Sequence, residues 1–285
     1  MIAVKLEGRL GNQLFQYAFI YAAARRLRTS FYLDKSSDNF LLPEYFEVKN
    51  NWSVLLDKTL FSIPGFKNFF RKNLRQTFYT TLNRLLLSGE KTTISNHLRS
   101  EDVLKVLKNN CEYEGYFQSE SYFKEFEREI RALYQIRKQH LKAFKDMQKH
   151  RLSSRKMVVI HIRRTDYVNL NCSLPLSYYE KAIEFINSSE VDYIFISDDP
   201  TYVEDTFKHI PNKYISMQHE IIDLQFLINA DICILSNSSF SWWGAWLNAN
   251  PNKVVYAPKN WLSYGQSDEY PKGISDNLKV TWISA

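Results

Sequence analysis

One stretch decides the fold class: Met157-Val158-Val159-Ile160-His161-Ile162, followed at once by Arg163-Arg164-Thr165-Asp166. Apolar runs of similar length recur at 193–196, 232–235 and 253–256, with helical patterns between them. Short runs rich in Val, Ile and Tyr are typical of buried parallel strands, and their alternation with helices predicts a doubly wound sheet. The carboxy-terminal half of the chain is therefore predicted to be an α/β domain.

The amino terminus predicts a second unit of the same class. Residues 2–6, Ile-Ala-Val-Lys-Leu, predict a strand, and Gly8-Arg9-Leu10-Gly11 predicts a tight turn after it. A helix is expected next, with Asn12 as its cap and with apolar residues at helical spacing, namely Leu14, Tyr17, Ala18, Tyr21 and Ala22. A strand, a glycine turn and a helix form the opening unit of many α/β folds.

The chain is long enough for two domains of ordinary size. It has 285 residues, of which 45% are hydrophobic and 24% charged, so disorder is excluded as a description of the whole chain. The character of the sequence changes at the polar stretch 149–156. We therefore predict two domains, 1–150 and 151–285.

Three features predict a reduced, cytosolic protein. No apolar run approaches the roughly 20 residues of a membrane-spanning helix. Lys5 and Glu7 interrupt the start of the chain, which argues against a signal peptide. Cys111, Cys172 and Cys233 are scattered and form no CxxC pair, so the sequence predicts neither a disulfide framework nor a zinc site.

The net charge of +6 favours an anionic partner, which leaves nucleic acid, an acidic membrane surface and a phosphorylated small molecule open. Residues 60–89 mix basic and aromatic residues and contain no Asp or Glu. One interpretation is a peripheral contact with an anionic membrane. The other is an ordinary helix with a solvated basic face and a buried aromatic face. No nucleic-acid-binding signature is present, so we do not expect nucleic acid as the partner.

Polar side chains follow three of the predicted strands. The first strand leads into Arg163-Arg164, the second into Ser197-Asp198-Asp199, and the third into Ser236-Asn237-Ser238-Ser239. Ligands of open parallel sheets bind beyond the carboxyl ends of the strands. The sequence therefore predicts one ligand site at that edge of the carboxy-terminal sheet.

The residue types at this edge suit an anion. Two arginines are permanently charged donors for phosphate oxygens, and Ser238 and Ser239 add hydroxyl groups at the start of a helix. The alternative for Arg163 and Arg164 is a pair of surface charges bridged to Asp166 and Asp199. Unpaired cations are costly at a strand end flanked by apolar residues, which favours the anion site. For the two serines alone, the alternative is a simple helix cap.

Three further polar residues have open interpretations. His161 alternates with apolar residues of its strand and is compatible with a buried structural histidine. Asp223 begins a helical run, where it either caps the helix or accepts two N–H bonds from a guanine edge. Asp198 and Asp199 are a weak metal signal because no further ligand cluster accompanies them. The sequence predicts no metal site.

Several enzyme classes are excluded by missing motifs. GxxxxGK[ST] and GxGxxG do not occur, which argues against P-loop ATPases and nicotinamide enzymes. HExxH, GxSxG and CxxC are also missing. We expect no cofactor.

Three blocks of sequence resemble the galactoside α-1,2-fucosyltransferases, glycosyltransferase family 11. The first is Gly8-Arg9-Leu10-Gly11-Asn12-Gln13-Leu14-Phe15-Gln16-Tyr17-Ala18, which looks like the family's amino-terminal signature. His161-Ile162-Arg163-Arg164-Thr165-Asp166-Tyr167 resembles the HxRRxDY motif that α-1,2-, α-1,6- and protein O-fucosyltransferases share. The third is 236–247, beginning Ser236-Asn237-Ser238-Ser239. The similarity extends from residue 4 to about residue 261.

The resemblance implies a GT-B fold, with two Rossmann-like domains facing a cleft. Domain 1–150 would lie on the acceptor side, and 151–285 would bind GDP-fucose. It further implies roles for single residues. Arg163 would contact the diphosphate, with Arg164 in support. The other implied contacts are His161 and Asp223 with the guanine, Ser238 and Ser239 with the phosphates, Asn12 with the reacting sugar, and Gly11, Asn237 and Asp198 as further substrate-binding residues.

The implied reaction is inverting transfer of L-fucose from GDP-β-L-fucose to the 2-hydroxyl of a terminal galactoside. Where α-1,6 relatives carry a Lys and a Glu, this chain has Tyr167 and Asn171, so a catalytic base cannot be carried over. Asp166 is expected to orient Arg164 or to accept a proton. The acceptor would be a surface glycan under assembly, of which a lipid-linked glycan is one form, handled by a bacterial-type enzyme at the inner face of the membrane.

Two alternatives remain at this point. One is a fucosyltransferase of different linkage. The other is a non-catalytic carbohydrate- or nucleotide-binding protein that would use Trp242, Trp243 and Trp246 to stack on sugars. The helical spacing of these tryptophans also fits simple helix packing.

Overall fold

The structure, a computed structural model, describes residues 1–36, 40–48, 52–61, 68–149, 155–186, 188, 190–276 and 279–284. For residues 54, 57, 58, 68–72 and 149 it describes the backbone alone. The chain divides into two compact units, Met1–Arg137 and Lys138–Ala285. This division falls one helix before the boundary that we predicted at residue 150, and residues 150–154 of the predicted linker lie outside the described residues.

The amino-terminal unit is built on a parallel sheet. Within the described ranges its elements are β1 (Ile2–Lys5), α1 (Leu10–Leu27), β2 (Phe31–Asp34), α2 (Leu42–Tyr45), α3 (Trp52–Phe61), α4 (Asn68–Leu87), β3 (Lys91–Thr93), α5 (Ser100–Lys105), β4 (Cys111–Glu114) and α6 (Glu127–Leu133). The strand order is β2-β1-β4-β3, and every pairing is parallel. The sequence predicted β1 and α1 but not the other strands.

The turn between β1 and α1 depends on Gly8. Its φ is +77°, and a Cβ atom there would lie 2.5 Å from Nδ2 of Asn12, so a larger residue would be both strained and crowded. Helix α1 begins at Leu10 with Arg9 at the N-cap position. The prediction that Asn12 caps the helix is therefore wrong. Asn12 lies within the first helical turn.

Helix α4 covers one face of this sheet. Tyr79 and Leu87 pack against Ala3 and Tyr32, and Asn83 Nδ2 donates to Asp34 Oδ2 at 3.1 Å. The segment 60–89 thus buries one face as an ordinary helix does. Its residues 62–67 lie outside the described residues, as do the side chains of 68–72.

The carboxy-terminal unit contains a larger parallel sheet. Its elements are α7 (Lys138–Lys149), β5 (Lys156–Ile162), α8 (Thr165–Asn169), α9 (Leu176–Glu184), β6 (Val191–Ser197), α10 (Pro200–Thr206), β7 (Lys213–Ser216), α11 (Glu220–Ile228), β8 (Ile232–Ile234), α12 (Ser239–Leu247), β9 (Val254–Pro258) and β10 (Thr281–Ile283). The strand order within the described part is β10-β9-β8-β5-β6-β7. The predicted α/β class with parallel strands is confirmed.

Helices cover both faces of this sheet. Val158, Ile160 and Ile162 of β5 share a buried cluster with residues of α9 and α10. His161, which points to the opposite face, lies 5.4 Å from the ring of Phe240 in α12. Alternate residues of one strand thus pack against different helices, which is the doubly wound arrangement that the sequence predicts.

Helix α7 belongs to the carboxy-terminal unit because it packs on α11. The ring of Phe144 lies 5.3 Å from that of Phe226, edge to face. The side-chain amide of Gln225 donates to the carbonyl oxygen of His140 at 3.1 Å. These contacts are why the division between the units precedes Lys138.

Candidate functional site

The polar ends of β5, β6 and β8 lie side by side, because these three strands are neighbours in the sheet. His161 Nδ1 is 2.7 Å from Ser236 Oγ, which joins the ends of β5 and β8. Arg163 Nη1 is 2.9 Å from Asp198 Oδ2, which joins the ends of β5 and β6. The segments 163–166, 197–199 and 236–239 therefore form one edge, here called the strand-end edge.

Arg163 is held by two carboxylates. Its Nη2 lies 2.6 Å from Asp166 Oδ1, in addition to the contact of Nη1 with Asp198, and its side chain is only 12% exposed. The guanidinium carbon lies 5.4 Å from the ring centre of Tyr167. The argument from unpaired cations is therefore wrong, since the arginine is paired as the alternative proposed. Asp166 forms this ion pair with Arg163, whereas the sequence led us to expect that it orients Arg164.

Asp198 is the centre of this network. One of its oxygens accepts from the backbone N–H of Arg164 at 2.8 Å, and the other from the hydroxyl of Thr165 at 2.5 Å. With the contact to Arg163, this carboxylate fixes the whole turn that follows β5. In the part of the chain that the structure describes, no cluster of three or more His, Cys, Asp or Glu residues is arranged to hold a metal ion.

Arg164 is placed by an aromatic ring. Its guanidinium carbon lies 3.7 Å from the ring centre of Tyr202, and its Nε is 3.9 Å from Asp199 Oδ2. Asp199 also caps α10 by accepting from the N–H of Tyr202 at 3.0 Å. Arg164 thus stacks on the first turn of α10. Its cation is stabilised by the ring and by one carboxylate at longer range.

His161 is a neutral histidine. Burial lowers its pKa to about 3, and the nearby positive charge of Arg163 acts in the same direction. The imidazole therefore carries no charge at neutral pH, and Ser236 satisfies its Nδ1. This matches the interpretation of a buried histidine with a partner. The site does not gain a third cation from it.

The loop between β8 and α12 is fixed by its own side chains. Ser238 Oγ accepts from the N–H of Phe240 at 3.3 Å and so caps α12, as the alternative for the serines proposed. The hydroxyl of Ser241 donates to the carbonyl oxygens of Ser236 and Ser238, both at 3.1 Å. Ser239 is the first residue of α12. The N-terminus of α12, the end at which a helix presents backbone N–H groups, therefore lies at the strand-end edge.

Asn237 joins two loops of the site. Its side-chain amide donates to the carbonyl oxygen of Cys172 at 2.7 Å, and its own carbonyl oxygen accepts from the Tyr167 hydroxyl at 3.4 Å. Within the described residues its buried Oδ1 has no hydrogen-bond partner. The resemblance implied substrate binding for Asn237, but its positioning bonds were not predicted. The long distance in sequence between these partners hid them.

Asp223 lies one strand farther along, beside the end of β7. Helix α11 begins at Glu220, so Asp223 does not begin the helix as predicted. The hydroxyl of Ser216 donates to Asp223 Oδ1 at 2.5 Å. Burial raises the pKa of Asp223 to about 6, and the bond from Ser216 opposes this rise. Ser216 was missed by the sequence analysis.

Asn12 and Gly11 lie in the first turn of α1, in the amino-terminal unit. Asn12 Oδ1 accepts from the side-chain amide of Gln118 at 2.9 Å. Two buried glutamines of the same motif, Gln13 and Gln16, bond to backbone atoms of the surrounding loops. These bonds give the two glutamines of this block a structural role that was not predicted from the sequence.

The three tryptophans of α12 are buried side chains. Trp242 and Trp243 have rings 5.1 Å apart, Trp243 and Trp246 likewise, and Trp242 Nε1 donates to the carbonyl oxygen of Ile274. They pack the helix into the core. The alternative in which they stack on a sugar at the surface is therefore wrong.

Comparison with known sequences gives a family match over the whole chain. The model of glycosyl transferase family 11 matches residues 1–285. The O-antigen biosynthesis glycosyltransferase WbnK of Escherichia coli is 30% identical over 90% of this chain and 94% of its own length. The alpha-1,2-colitosyltransferase of Escherichia coli is 28% identical over 92% of each chain.

Solved structures of fucosyltransferases share the fold. The NodZ alpha-1,6-fucosyltransferase soaked with GDP-fucose superposes with a TM-score of 0.53 at 14% identity, covering 86% of this chain and 92% of its own. POFUT1 in complex with GDP gives a TM-score of 0.55 at 12% identity, covering 90% and 97%. At such low identity the likeness concerns the fold alone.

Proposed function

The chain belongs to glycosyltransferase family 11, and from that membership we propose that it transfers L-fucose from GDP-β-L-fucose to the 2-hydroxyl of a terminal galactoside, with inversion. The sequence blocks around Asn12, Arg163 and Ser238 support this proposal. The relatives from Escherichia coli support a 1,2 linkage and an O-antigen acceptor through their names. Such an acceptor would be a lipid-linked surface glycan, handled in the cytoplasm at the inner face of the membrane.

The placement of Arg163 carries the proposal. The guanidinium stands at the end of β5, almost buried, on the same strand-end edge as the N-terminus of α12. When the glycosidic bond of GDP-fucose breaks, negative charge grows on the departing GDP. A positive group that is already in place stabilises this charge without reorganising at the moment of reaction. We propose that the two arginines supply this positive charge and that no metal ion is needed.

The charges of the strand-end edge dictate how an anion enters it. Two arginines face Asp166, Asp198 and Asp199, so the formal charge of the edge is negative before a ligand binds. Asp198 is 18% exposed and has three bonds to the turn, whereas Asp166 is 48% exposed. We propose that the diphosphate displaces Asp166 from Nη2 of Arg163. Asp198 then keeps the guanidinium in position.

The guanine end of the donor would lie toward Asp223 and His161. An ionised carboxylate accepts two N–H bonds from the edge of guanine, and Ser216 holds Asp223 Oδ1 in place for this task. His161 is neutral and buried, so it contributes hydrogen bonding and no charge. Ser238, Ser239 and Asn237 would line the phosphates, next to the start of α12.

The proposed reaction needs no strong catalytic base from this chain. Burial raises the pKa of Tyr167 to about 12, so its hydroxyl stays protonated and cannot serve as a base. Asn171, at the other position where relatives carry a charged residue, does not titrate. As the bond between fucose C1 and GDP breaks, the acceptor oxygen bonds to C1, and its proton passes late to the departing GDP or to water. Such an oxocarbenium-like transition state makes a strong base dispensable. We propose an orienting role for Asp166 and assign no base.

The amino-terminal unit would provide the acceptor side. We propose that the units Met1–Arg137 and Lys138–Ala285 are the two Rossmann-like domains of a GT-B enzyme, with Asn12 and Gly11 close to the reacting sugar. A second candidate for the transferred sugar is colitose, which the name of a relative with 28% identity favours. A third candidate activity is transfer of fucose to an acceptor hydroxyl other than the 2-hydroxyl.

One experiment tests these candidates together. The protein is incubated with GDP-fucose or GDP-colitose and a panel of terminal galactosides, and the product linkage and anomeric configuration are determined by NMR. We expect α-1,2-linked fucose on galactose. Transfer of colitose alone would show that the donor is GDP-colitose and not GDP-fucose. A different linkage would show that the acceptor reacts through a hydroxyl other than the 2-hydroxyl. Binding of GDP-fucose without turnover on any acceptor would contradict the proposal of catalysis.

A further inference from the structure

Helices α3 and α4 expose an unusual amount of apolar surface. Among the residues described, six large apolar side chains on these two helices are exposed: Trp52, Leu55, Leu60, Leu74, Leu85 and Leu86. Leu85 is 77% exposed and Leu55 66%. Scattered exposed leucines are normal in soluble proteins, but a concentration on two successive helices marks an interaction surface.

Leu74 and Leu85 of α4 point away from the core. The buried face of the helix is formed by Tyr79, Asn83 and Leu87, which pack toward the sheet. At about 100° per residue, Leu74 lies about 180° from Asn83, and Leu85 lies within about 20° of Leu74. The two leucines therefore form one ridge on the outer side. Burial within this chain does not explain them.

The end of α3 lies beside this ridge. The ring of Phe61 is 5.7 Å from that of Phe78, which is half-buried on α4. The guanidinium of Arg75 lies 5.2 Å from the ring centre of Phe61. Apolar groups and a cation thus alternate across the two helices, and the surface is continuous from one helix to the other.

The charge of α4 has one sign. Its sequence contains Arg71, Lys72, Arg75 and Arg84 and no Asp or Glu. Arg84 is exposed next to Leu85. An apolar ridge flanked by basic residues matches the interface of an anionic bilayer, where leucines enter the acyl boundary and arginines meet lipid phosphates.

We propose that the outer face of α4, formed by Leu74, Arg84 and Leu85, docks on an anionic phospholipid bilayer together with the exposed Leu55 of α3. The helices lie in the plane of the interface. No helix among the described residues has the length and apolar character to cross a bilayer, so the contact is peripheral. A second copy of this chain is a poorer partner, because it would bring arginines of like charge face to face.

This inference goes beyond the proposed function and stands without it, since it rests on the surface of the amino-terminal unit. It is tested by binding alone, with no donor or acceptor present. The full chain is sedimented with vesicles of phosphatidylcholine and with vesicles that contain about one third phosphatidylglycerol. We expect binding to the anionic vesicles, weakened by added salt because the phosphate contacts are screened.

Two variants locate the contact. The double substitution Leu74→Gln and Leu85→Gln should lower partitioning at least tenfold, since both side chains leave the acyl boundary. Arg84→Gln should lower it about fivefold, the effect of one basic residue near an anionic surface. The matched control is Leu98→Gln with Leu141→Gln, because these leucines are 46% and 47% exposed outside α3 and α4.

Several outcomes would overturn the proposal. These are no binding of the unaltered protein to anionic vesicles, equal binding to neutral vesicles, and equal loss in the control variant. A dimer that the double substitution dissociates, with no vesicle binding, would assign the surface to a second copy instead. Circular dichroism and thermal unfolding confirm that the variants fold, which is expected because every altered side chain is exposed.

Discussion

The first strand-to-helix turn of each unit is held in a different way. After β1, two buried amides bind backbone atoms: Gln13 donates to Gly8 O at 3.1 Å and accepts from Leu41 N at 2.9 Å. Gln16 accepts from the N–H of Glu7 at 3.0 Å and donates to the carbonyl oxygen of Gly115 at 2.9 Å. After β5, the turn is held by ion pairs between side chains.

The difference shows which turn is a scaffold and which can exchange partners. An amide that bonds to the backbone is neutral and satisfied, so it fixes shape and has nothing to offer a charged ligand. Arg163 keeps its charge, and one of its two partners, Asp166, is half exposed. A phosphate can replace an exposed carboxylate at a guanidinium because the two anions have similar hydrogen-bonding geometry.

Removal of Arg163 should have the largest effect. In Arg163→Ala we expect kcat to fall by at least two orders of magnitude, because loss of one donor to the developing charge typically costs about 3–4 kcal/mol. Initial rates with saturating donor measure this. Arg155→Ala is the matched control, since Arg155 is an exposed arginine of the same unit and lies 3.7 Å from Asp192 in an ion pair. A near-normal rate in Arg163→Ala would remove this arginine from the mechanism.

Breaking the amide turn should affect stability instead. Gln16→Ala leaves the partly buried N–H of Glu7 and carbonyl of Gly115 without this partner, so the free energy of unfolding should fall by about 1–3 kcal/mol. Urea titration measures this, with Gln135→Ala as the control because that glutamine is exposed. GDP affinity, measured by calorimetry, should not change. A weaker GDP affinity at unchanged stability would give Gln16 a place in the nucleotide site.

The titration of Asp223 should separate ligand binding from folding. Its pKa is about 6 in the folded protein because of burial. Below that pH the carboxyl is protonated and loses one acceptor for guanine, so GDP affinity should fall by up to tenfold per pH unit. The unliganded protein should respond in the opposite direction. A raised folded-state pKa means that the folded state binds the proton more tightly, so this group favours folding as the pH falls from about 6 toward 4.

The control for this pH dependence is Asp223→Asn. The variant should bind GDP weakly, and its GDP affinity should change less with pH than that of the unaltered protein between about pH 5 and 8. His161 should not contribute, since its pKa is about 3. An unchanged profile in the variant would show that another group senses the pH.

Removing the charge of Asp166 in the turn after β5 should have a smaller effect. It should strengthen GDP binding, whereas loss of Arg163 impairs the reaction. Asp166→Asn removes the carboxylate that competes with the diphosphate, and we expect GDP to bind about two- to fivefold more tightly, as befits an exposed ion pair. Asp192→Asn is the control, because Asp192 pairs with Arg155 on the same unit. Weaker GDP binding would mean that Asp166 is needed to orient Arg163 in the complex as well.

Chelation should have no effect. If the guanidinium groups supply the positive charge at the strand-end edge, the initial rate is the same with and without EDTA. Loss of activity that Mg²⁺ or Mn²⁺ restores would show that a metal ion shares the diphosphate with Arg163. The same assay on Asp198→Asn tests whether the Asp198 carboxylate helps to bind that metal ion.

The parts of the fold that could be predicted are those with their own sequence signal. The strands β5, β6, β8 and β9 are runs of buried Val, Ile and Tyr, and both faces of the sheet are covered. β3 and β4 contain the sequences Lys-Thr-Thr and Cys-Glu-Tyr-Glu, and β7 and β10 are only four and three residues long. Such strands form because a neighbouring strand offers its edge, which no local pattern reveals.

The partners within the site follow from strand register. Ile162 lies opposite Ser197 in the β5–β6 pairing, so the next residues, Arg163 and Asp198, come out side by side. The sequence predicts that both residues lie at one edge, but the register of the strands cannot be read from it. The pairing of Arg163 with Asp198 was therefore not predicted. The bonds from Ser216 and Asn237 were missed for the same reason, since each depends on neighbours that only the assembled sheet provides.

The bonds of Asn237 and Tyr167 have a kinetic consequence. They tie the loop before α12 to the segment 167–172, so the two segments are held together as one rigid unit near Arg163. Because these segments are ordered before a nucleotide binds, binding costs little conformational entropy of the protein there. Rapid mixing should therefore show GDP association in one concentration-dependent phase, with no slow isomerisation of this loop behind it.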